Sequence, residues 1–401
     1  MKILTVTPYL APSYGGTSKC IVELAKELGN LDITVDLVTT NAGFDSAKDA
    51  DSWIDKKKYR VRYFYCWYRN DFIISLRLIL WLIRNIAHYD IVHTNTVFAP
   101  LISLTNLICS WQNIPYINTP HGMLEPWALS YKARKKKYYY QLLEKPLLQK
   151  ARAIQTLASS EAQKIQKLGF SNTVTIPNGI HAQEYQSLPD SEIFYQQFPD
   201  TRGKKLILFL GRIDPKKGLD LLAPAFSKAY QKFPDIHLIV AGPNSINFMP
   251  IAEKYFIDAN CRDGVTFTGM LKGELKLAAL AAATIYVAPS YSEGFSMSVL
   301  EGMASGLPCI ITTGCNFPEA AKAHVAHVVD IKAESIADAL INCLENPQQA
   351  KQMGNQARQF IFDNYTWDIV AQKMFGVYQQ IIDDSKAITY QDRALLNSKT
   401  I

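Results

Sequence analysis

Short, nearly continuous apolar runs alternate with longer amphipathic stretches along this chain, and the alternation occurs twice. KILTV, ITVDLVTT, DIVHTN, PYINT, ARAIQT and TVTIP lie in the first half, and KLILFLGR, IHLIVAGP, VTFTG, TIYVAP and PCIITT in the second. Strands apolar on both sides suit a parallel sheet covered by helices on each face. The intervening stretches carry helical periodicity, so the rhythm is βαβ and the class is α/β, doubly wound. A chain of 401 residues exceeds one ordinary core and fits two domains. The rhythm pauses over 182–204, where Pro189, Pro199 and several glutamines stand. Residues 1–185 and 203–365 are therefore expected to form two Rossmann-like domains. Ligands of such sheets bind beyond the carboxyl ends of the strands, so a cleft between the two sets of strand ends is expected.

Composition removes several classes. With 48% hydrophobic and 19% charged residues the chain is not disordered. A net charge of +6, with no recognition module, gives no reason to expect nucleic acid. The seven cysteines show no C-x-x-C pair, which fits reduced thiols in the cytoplasm. No zinc spacing occurs; His324 and His327 come nearest and read as ordinary surface or core residues. KILTV lacks the features of a signal peptide. FIISLRLILWLI is interrupted by Arg77 and is shorter than the roughly 18 residues of a spanning helix. The expected location is cytoplasmic, peripheral on the inner face of the plasma membrane.

The stretch SEGFSMSVLEGMASGLP, Ser292–Pro308, sets Glu293 and Glu301 at E-x7-E spacing behind the run TIYVAP. Read as strand, turn and helix, it places Glu293 in the turn and Glu301 about two helical turns further on. Backbone N–H groups of Gly294, Phe295 and Ser296 then lie near a helix N-terminus, a ready anion site. Carboxylates at both ends of a phosphate-sized pocket can bind hydroxyls on either side of a diphosphate. For an arbitrary spacing of this kind, a surface turn and a solvated glutamate are the plainer reading.

Three further segments carry candidate chemistry. Gly15-Gly16 precede SKCIVELAKEL, where glycine permits close approach to a phosphate at a helix start. LFLGRIDPKKGLDLL sets Arg212 and Lys217 on one loop after a strand; two fixed cations can stabilise a leaving diphosphate. Lys216 beside them reads as solvated. In INTPHGM, His121 follows a strand and faces the expected cleft. No D-x-D metal motif sits in a suitable place, and no metal is expected.

EGFSMSVLEGMASGLPCIIT resembles the donor-site signature of retaining glycosyltransferases of the GT-B fold, glycosyltransferase family 4. The Gly-Phe, Leu-Glu, Met-Ala and Gly-Leu-Pro steps match in register, as does the G-R followed by K-G around Arg212 and Lys217, and the resemblance runs along nearly the whole chain. It implies two Rossmann-like domains facing across a cleft, with a terminal helix, 366–385, packed back on the first. It implies a hexosyl- or N-acetylhexosaminyl-transferase working by front-face substitution without metal or cofactor. The donor is a nucleotide-diphosphate sugar, and the acceptor a saccharide or lipid-linked saccharide. By resemblance Arg212 and Lys217 hold the diphosphate, Glu293 the donor sugar, and Glu301 the ribose. His121 positions the sugar and is not assigned as general base. Gly15 and Gly16 face the diphosphate and acceptor, Gly294, Phe295 and Ser296 line the donor site, and Met270 in FTGML lies near the base.

Two departures stand out: Gly302 where the family has alanine, and Cys315-Asn316-Phe317-Pro318 where it has a Gly-Gly loop. Lys132, Arg134, Lys135, Lys136 and Lys137 beside three tyrosines, and Arg77, Trp81 and Arg84 in a helix over 72–87, suit an anionic membrane surface. With such a surface as partner, the acceptor is expected to be lipid-linked and the pathway cell-surface polysaccharide synthesis (capsule, O-antigen or exopolysaccharide). The alternatives are a silent glycosyltransferase-like scaffold and a GT-B sugar-nucleotide epimerase. A dinucleotide-dependent oxidoreductase would need the G-x-G-x-x-G that the first strand lacks.

Overall fold

In the computed structural model the described residues are 1–11, 14–44, 51–69, 72–125, 137–244 and 246–398. The chain divides into two units, Met1–Asn178 with Trp367–Ile401, and Gly179–Thr366. Of the basic cluster noted above, Lys132, Arg134, Lys135 and Lys136 lie outside the described residues.

The first unit holds strands β1 (Lys2–Val6), β2 (Thr34–Thr40), β3 (Trp53–Asp55), β4 (Arg60–Phe64), β5 (Trp67–Arg69), β6 (Phe72–Ile74), β7 (Ile91–Asn95), β8 (Tyr116–Thr119), β9 (Ala153–Thr156) and β10 (Thr173–Thr175). Eight of them form one sheet in the order β10-β9-β8-β7-β1-β2-β4-β3, and β5 pairs with β6 in a separate hairpin. Every pair in the large sheet is parallel except β3 with β4. Helices α1 (Gly16–Asn30), α2 (Leu76–Asn85), α3 (Pro100–Trp111), α4 (Lys145–Lys150) and α5 (Ser159–Lys167) connect the strands. Leu4, Val6, Val38 and Val92 on the sheet bury against Leu78, Leu82, Leu101 and Ile102 of α2 and α3. The terminal helix Trp367–Ser398 packs on α1. Its Tyr378 hydroxyl lies 2.6 Å from His93 Nδ1 on β7, inside the core.

Two local outcomes differ from the sequence reading. The helix expected over 72–87 begins at Leu76, because Phe72–Ile74 pairs as the second strand of the hairpin. Ser75 caps it, its hydroxyl accepting from Leu78 N, as an N-cap serine does. The strands β3 and β4 were not anticipated; Arg60, Arg62 and Tyr63 interrupt the apolar pattern that marks the other strands.

The second unit begins with two short helices, α6 (Ala182–Gln186) and α7 (Glu192–Gln197). The segment 182–204 thus has its own structure, anchored by buried Tyr185 and Phe194. Strands β11 (Lys205–Leu210), β12 (Ile236–Ala241), β13 (Val265–Gly269), β14 (Ala283–Ala288), β15 (Cys309–Thr312) and β16 (His327–Val329) follow. They form one sheet in the order β13-β12-β11-β14-β15-β16, parallel throughout. Helices α8 (Leu219–Lys232), α9 (Met249–Asp258), α10 (Gly273–Ala282), α11 (Met297–Ala304), α12 (Pro318–Lys322), α13 (Ala333–Glu345) and α14 (Pro347–Asn364) complete it. Phe209, Phe226, Phe256 and Leu340 lie at its core. The order reverses between β11 and β14, so a crevice is expected beyond their carboxyl ends.

Candidate functional site

The loops after β11 and β14 meet at that reversal. Gly218 has φ 71°, and a Cβ there would lie 2.1 Å from the carbonyl oxygen of Pro289. Only glycine permits both the left-handed turn and this approach. Tyr291 N donates to Lys216 O at 2.9 Å, tying the two loops together. Lys217 Nζ consequently reaches Glu293 Oε1 at 2.6 Å, and each side chain is only 12% exposed. Ser290 Oγ donates to the same oxygen at 2.7 Å. Burial pushes the Glu293 carboxyl up, but the charges of Lys217 and Lys216, with the hydrogen bonds from Lys217 and Ser290, outweigh it and hold it below its usual range. Glu293 is therefore ionised at neutral pH. Among the described residues its Oε2 accepts no hydrogen bond, and that oxygen remains available to a hydroxyl.

Lys216 is not the freely solvated cation that the sequence reading made it. It is partly buried; burial, then the charges of Lys217 and Arg212, lower its pKa against the pull of Glu293 and Asp214. Arg212 is 56% exposed, with Nη2 3.4 Å from Asp214 Oδ2. Three cations thus share one loop, and Lys217 is the one whose ion pair with Glu293 is closed at 2.6 Å. A helix that begins at Leu219 follows them.

Glu301 is the fifth residue of α11, so it stands just over one turn into the helix, nearer the N-terminus than the two turns expected. Its Oε1 accepts from Lys276 Nζ of α10 at 2.7 Å, and the buried Tyr185 of α6 is hydrogen-bonded to it. Neither Lys276 nor Tyr185 was picked out from sequence, since each lies in a segment with no motif and meets Glu301 only in three dimensions. Ser296 is the N-cap position of α11 and Gly294 lies in the preceding loop. Phe295 turns its ring inward, with centroids 5.3 Å from Phe317 and 6.0 Å from Tyr365; its side chain anchors the loop, leaving its backbone for a ligand. Met270, just past β13, is 58% exposed.

Both departures from the family pattern have local explanations. Cys315-Asn316-Phe317-Pro318 buttresses the Glu293 loop. Asn316 adopts φ 54°, which asparagine tolerates, and its side-chain amide donates to the carbonyl oxygen of Glu293. Glu293 N donates to Gly314 O at 2.7 Å, and Phe317 packs under Phe295. Gly302 makes room for Tyr286: a Cβ there would lie 2.7 Å from the Tyr286 ring, which is wholly buried. Gly302→Ala gains helix propensity of ~1 kcal/mol but overpacks the core by about 1–3 kcal/mol. The expected net result is a melting temperature lowered by a few degrees, measured by thermal denaturation. A raised melting temperature would show that the ring yields freely.

In the first unit the order reverses between β1 and β7. Gly15 has φ 78° and opens α1, whose N-terminus carries no side-chain cap and no acidic residue in its first turn. His121 follows β8 with φ 52°, and Gly122 with φ 75°. Two successive left-handed residues need support, and Glu161 provides it. Its Oε1 accepts from Gly122 N at 3.0 Å and its Oε2 from Leu157 N at 2.7 Å. His121 Nε2 lies 2.9 Å from Asn95 Oδ1, while Asn95 Nδ2 donates to Val6 O at 3.4 Å. That amide orientation makes Nε2 the protonated nitrogen. Burial lowers the His121 pKa to about 4, so the ring is neutral at pH 7 and suits positioning by hydrogen bonds rather than charge.

Among the described residues no three His, Cys, Asp or Glu side chains gather as a metal site would require. No helix among them is long and apolar enough to cross a membrane.

The model of the family "Glycosyltransferase Family 4" matches residues 14–184, and that of "Glycosyl transferases group 1" matches 190–360. A phosphatidyl-myo-inositol mannosyltransferase of Mycobacterium tuberculosis strain H37Rv is 29% identical over 222 residues, 53% of this chain and 55% of that protein. The chain thus spans about half the length of that relative. Sucrose-phosphate synthase from Thermosynechococcus elongatus superposes with a TM-score of 0.76 at 20% identity, covering 96% of this chain and 100% of that one. Anabaena Alr3699/HepE in complex with UDP-glucose superposes with a TM-score of 0.75 at 16% identity, covering 95% and 100%. These likenesses show the fold to be GT-B. Matched along both units by these models, the chain belongs to glycosyltransferase family 4.

Proposed function

We propose that this protein is a retaining glycosyltransferase that moves a sugar from a nucleotide-diphosphate sugar to a saccharide acceptor. The observation that carries the reading is the Lys217–Glu293 pair at the β11/β14 reversal, with Arg212 and Lys216 on the same loop beside it. Lys217, with Arg212, neutralises the diphosphate as it leaves; such preorganised charge is commonly the largest catalytic contribution. Glu293 accepts hydrogen bonds from sugar hydroxyls, and Glu301 from the ribose diol. Gly294, Phe295 and Ser296 present backbone N–H groups, Met270 borders the base, and Gly15, Gly16 and His121 serve the sugar and acceptor. The bond from the anomeric carbon to the phosphate oxygen breaks, and its electron pair goes to the phosphate. The acceptor oxygen bonds to the same face of that carbon, and its proton passes to the departing phosphate. No protein base or metal ion takes part.

The acceptor proposed is a lipid-linked saccharide, in cell-surface polysaccharide synthesis at an anionic cytoplasmic membrane surface. The mycobacterial relative is named for a lipid-borne acceptor, and α2 exposes Leu76, Leu80 and Ile83 beside Arg84. A thermal-shift panel of UDP-, GDP-, ADP- and dTDP-sugars, followed by product mapping with the best donor, tests the reading. The expected product keeps the donor's anomeric configuration and forms undiminished in EDTA. An inverted product, or loss of activity restored by a divalent cation, would refute the corresponding part. Nucleotide binding without any transfer or release would favour the silent scaffold.

A further inference from the structure

The first unit contains a second cationic feature, which the donor chemistry does not use. An open cavity of about 340 Å³ lies between α2 and strand β4, walled by Asp51, Arg62, Arg77, Trp81, Arg84 and Asn85 among others. Arg77 is accounted for, since it pairs with Asp51. The other two arginines are not. Arg62 lies on β4 with its guanidinium 4.8 Å from the Phe64 ring and 5.9 Å from the Trp81 ring. Its Nε is buried and meets no acceptor among the described residues. Arg84 is exposed on α2 and has no acidic partner among the described residues. Among the described wall residues, three arginines against one aspartate leave an excess of two positive charges.

A buried guanidinium N–H without an acceptor is uncommon, because losing its hydration without replacement is unfavourable. Aromatic faces fix the plane of the Arg62 group, which leaves its terminal N–H groups, rather than the enclosed Nε, as the donors a ligand can meet, and Arg84 adds a second fork. Arginine forks match the oxygens of a phosphoryl group in pairs. We infer that this cavity binds a phosphate-bearing ligand at a site separate from the nucleotide-diphosphate loops of the second unit. Leu80, 52% exposed, forms part of the wall, so a phosphate carrying an alkyl chain is accommodated as well as one free in solution.

Two arms distinguish these sources, both with the full chain. Inorganic diphosphate is titrated by calorimetry, and phosphatidylcholine vesicles with and without phosphatidic acid are tested by flotation. The variants are Arg62→Gln, Arg84→Gln and, to mark the donor site, Lys217→Ala. Loss of one charge-assisted fork is expected to weaken binding about tenfold or more in the arm that holds the physiological source. Lys217→Ala is expected to leave that component unchanged, and nucleotide binding is expected to survive both arginine changes. Because Arg84 is exposed, its substitution tests the site even where Arg62→Gln disturbs packing. Absence of binding in both arms, or binding that neither arginine change alters, would overturn the inference without touching the donor-site reading.

Discussion

Lys217→Ala is expected to lower turnover about a thousandfold, the scale seen when one preorganised charge is removed from a site of developing negative charge. Initial rates with the best nucleotide sugar measure it, and calorimetry should show weaker binding of the nucleoside diphosphate. The change also strands Glu293, whose ionised form is held by Lys217 and Lys216 against burial. Removing a partner from such a pair costs about 3 kcal/mol or more. The pH dependence has a definite sign. In the wild type the Glu293 pKa is depressed, so its stabilisation is present above the unfolded carboxylate value and is lost as pH falls through the folded value. With Lys217 gone, burial acts with less opposition and disfavours the carboxylate. The melting temperatures of wild type and variant should therefore converge in acid and separate towards neutral pH. Adding Glu293→Gln to Lys217→Ala removes the stranded charge and should restore stability without restoring turnover. Recovery of both would mean that the lysine merely supports the fold.

Glu301→Ala is expected to raise KM for the donor about a hundredfold with a smaller effect on kcat, the loss of two charge-assisted hydrogen bonds. Lys276 and Tyr185 already hold this carboxylate from two other helices, so its orientation is set before a ribose arrives. The distinguishing control is chemical. A 2′,3′-dideoxynucleoside diphosphate lacks the diol and should bind wild type and variant alike, as a coupling cycle requires. An equal loss for both ligands would point to damage to α10 or α11 instead.

The repeating architecture was legible because parallel strands buried on both faces keep an apolar signature. β1, β7, β11 and β12 each stand within one of the runs read as strands, and each is buried along nearly its whole length. β3 escaped notice as a three-residue edge strand, β4 because Arg60, Arg62 and Tyr63 interrupt its apolar pattern, and the hairpin of β5 and β6 because it is three residues on each side. The site was legible where it is local: Glu293 and Glu301 share one strand–turn–helix segment, and Arg212 and Lys217 one loop. What sequence spacing does not encode is contact across elements. Lys276, Tyr185 and Asn316 reach the two glutamates from three other places on the chain. Lys216 looked like one charge of a solvated run, and only its partial burial between loops sets it apart.

The central claim is that one nucleotide-diphosphate sugar rests on the two loops joined at the β11/β14 reversal. Hydrogen-exchange mass spectrometry, with and without the nucleoside diphosphate that most raises the melting temperature, tests it most directly. Bound ligand should slow exchange in the peptides spanning 211–218 and 293–301, and Lys217→Ala should abolish that protection. Saturating ligand that leaves both peptides unchanged while protecting others would contradict it.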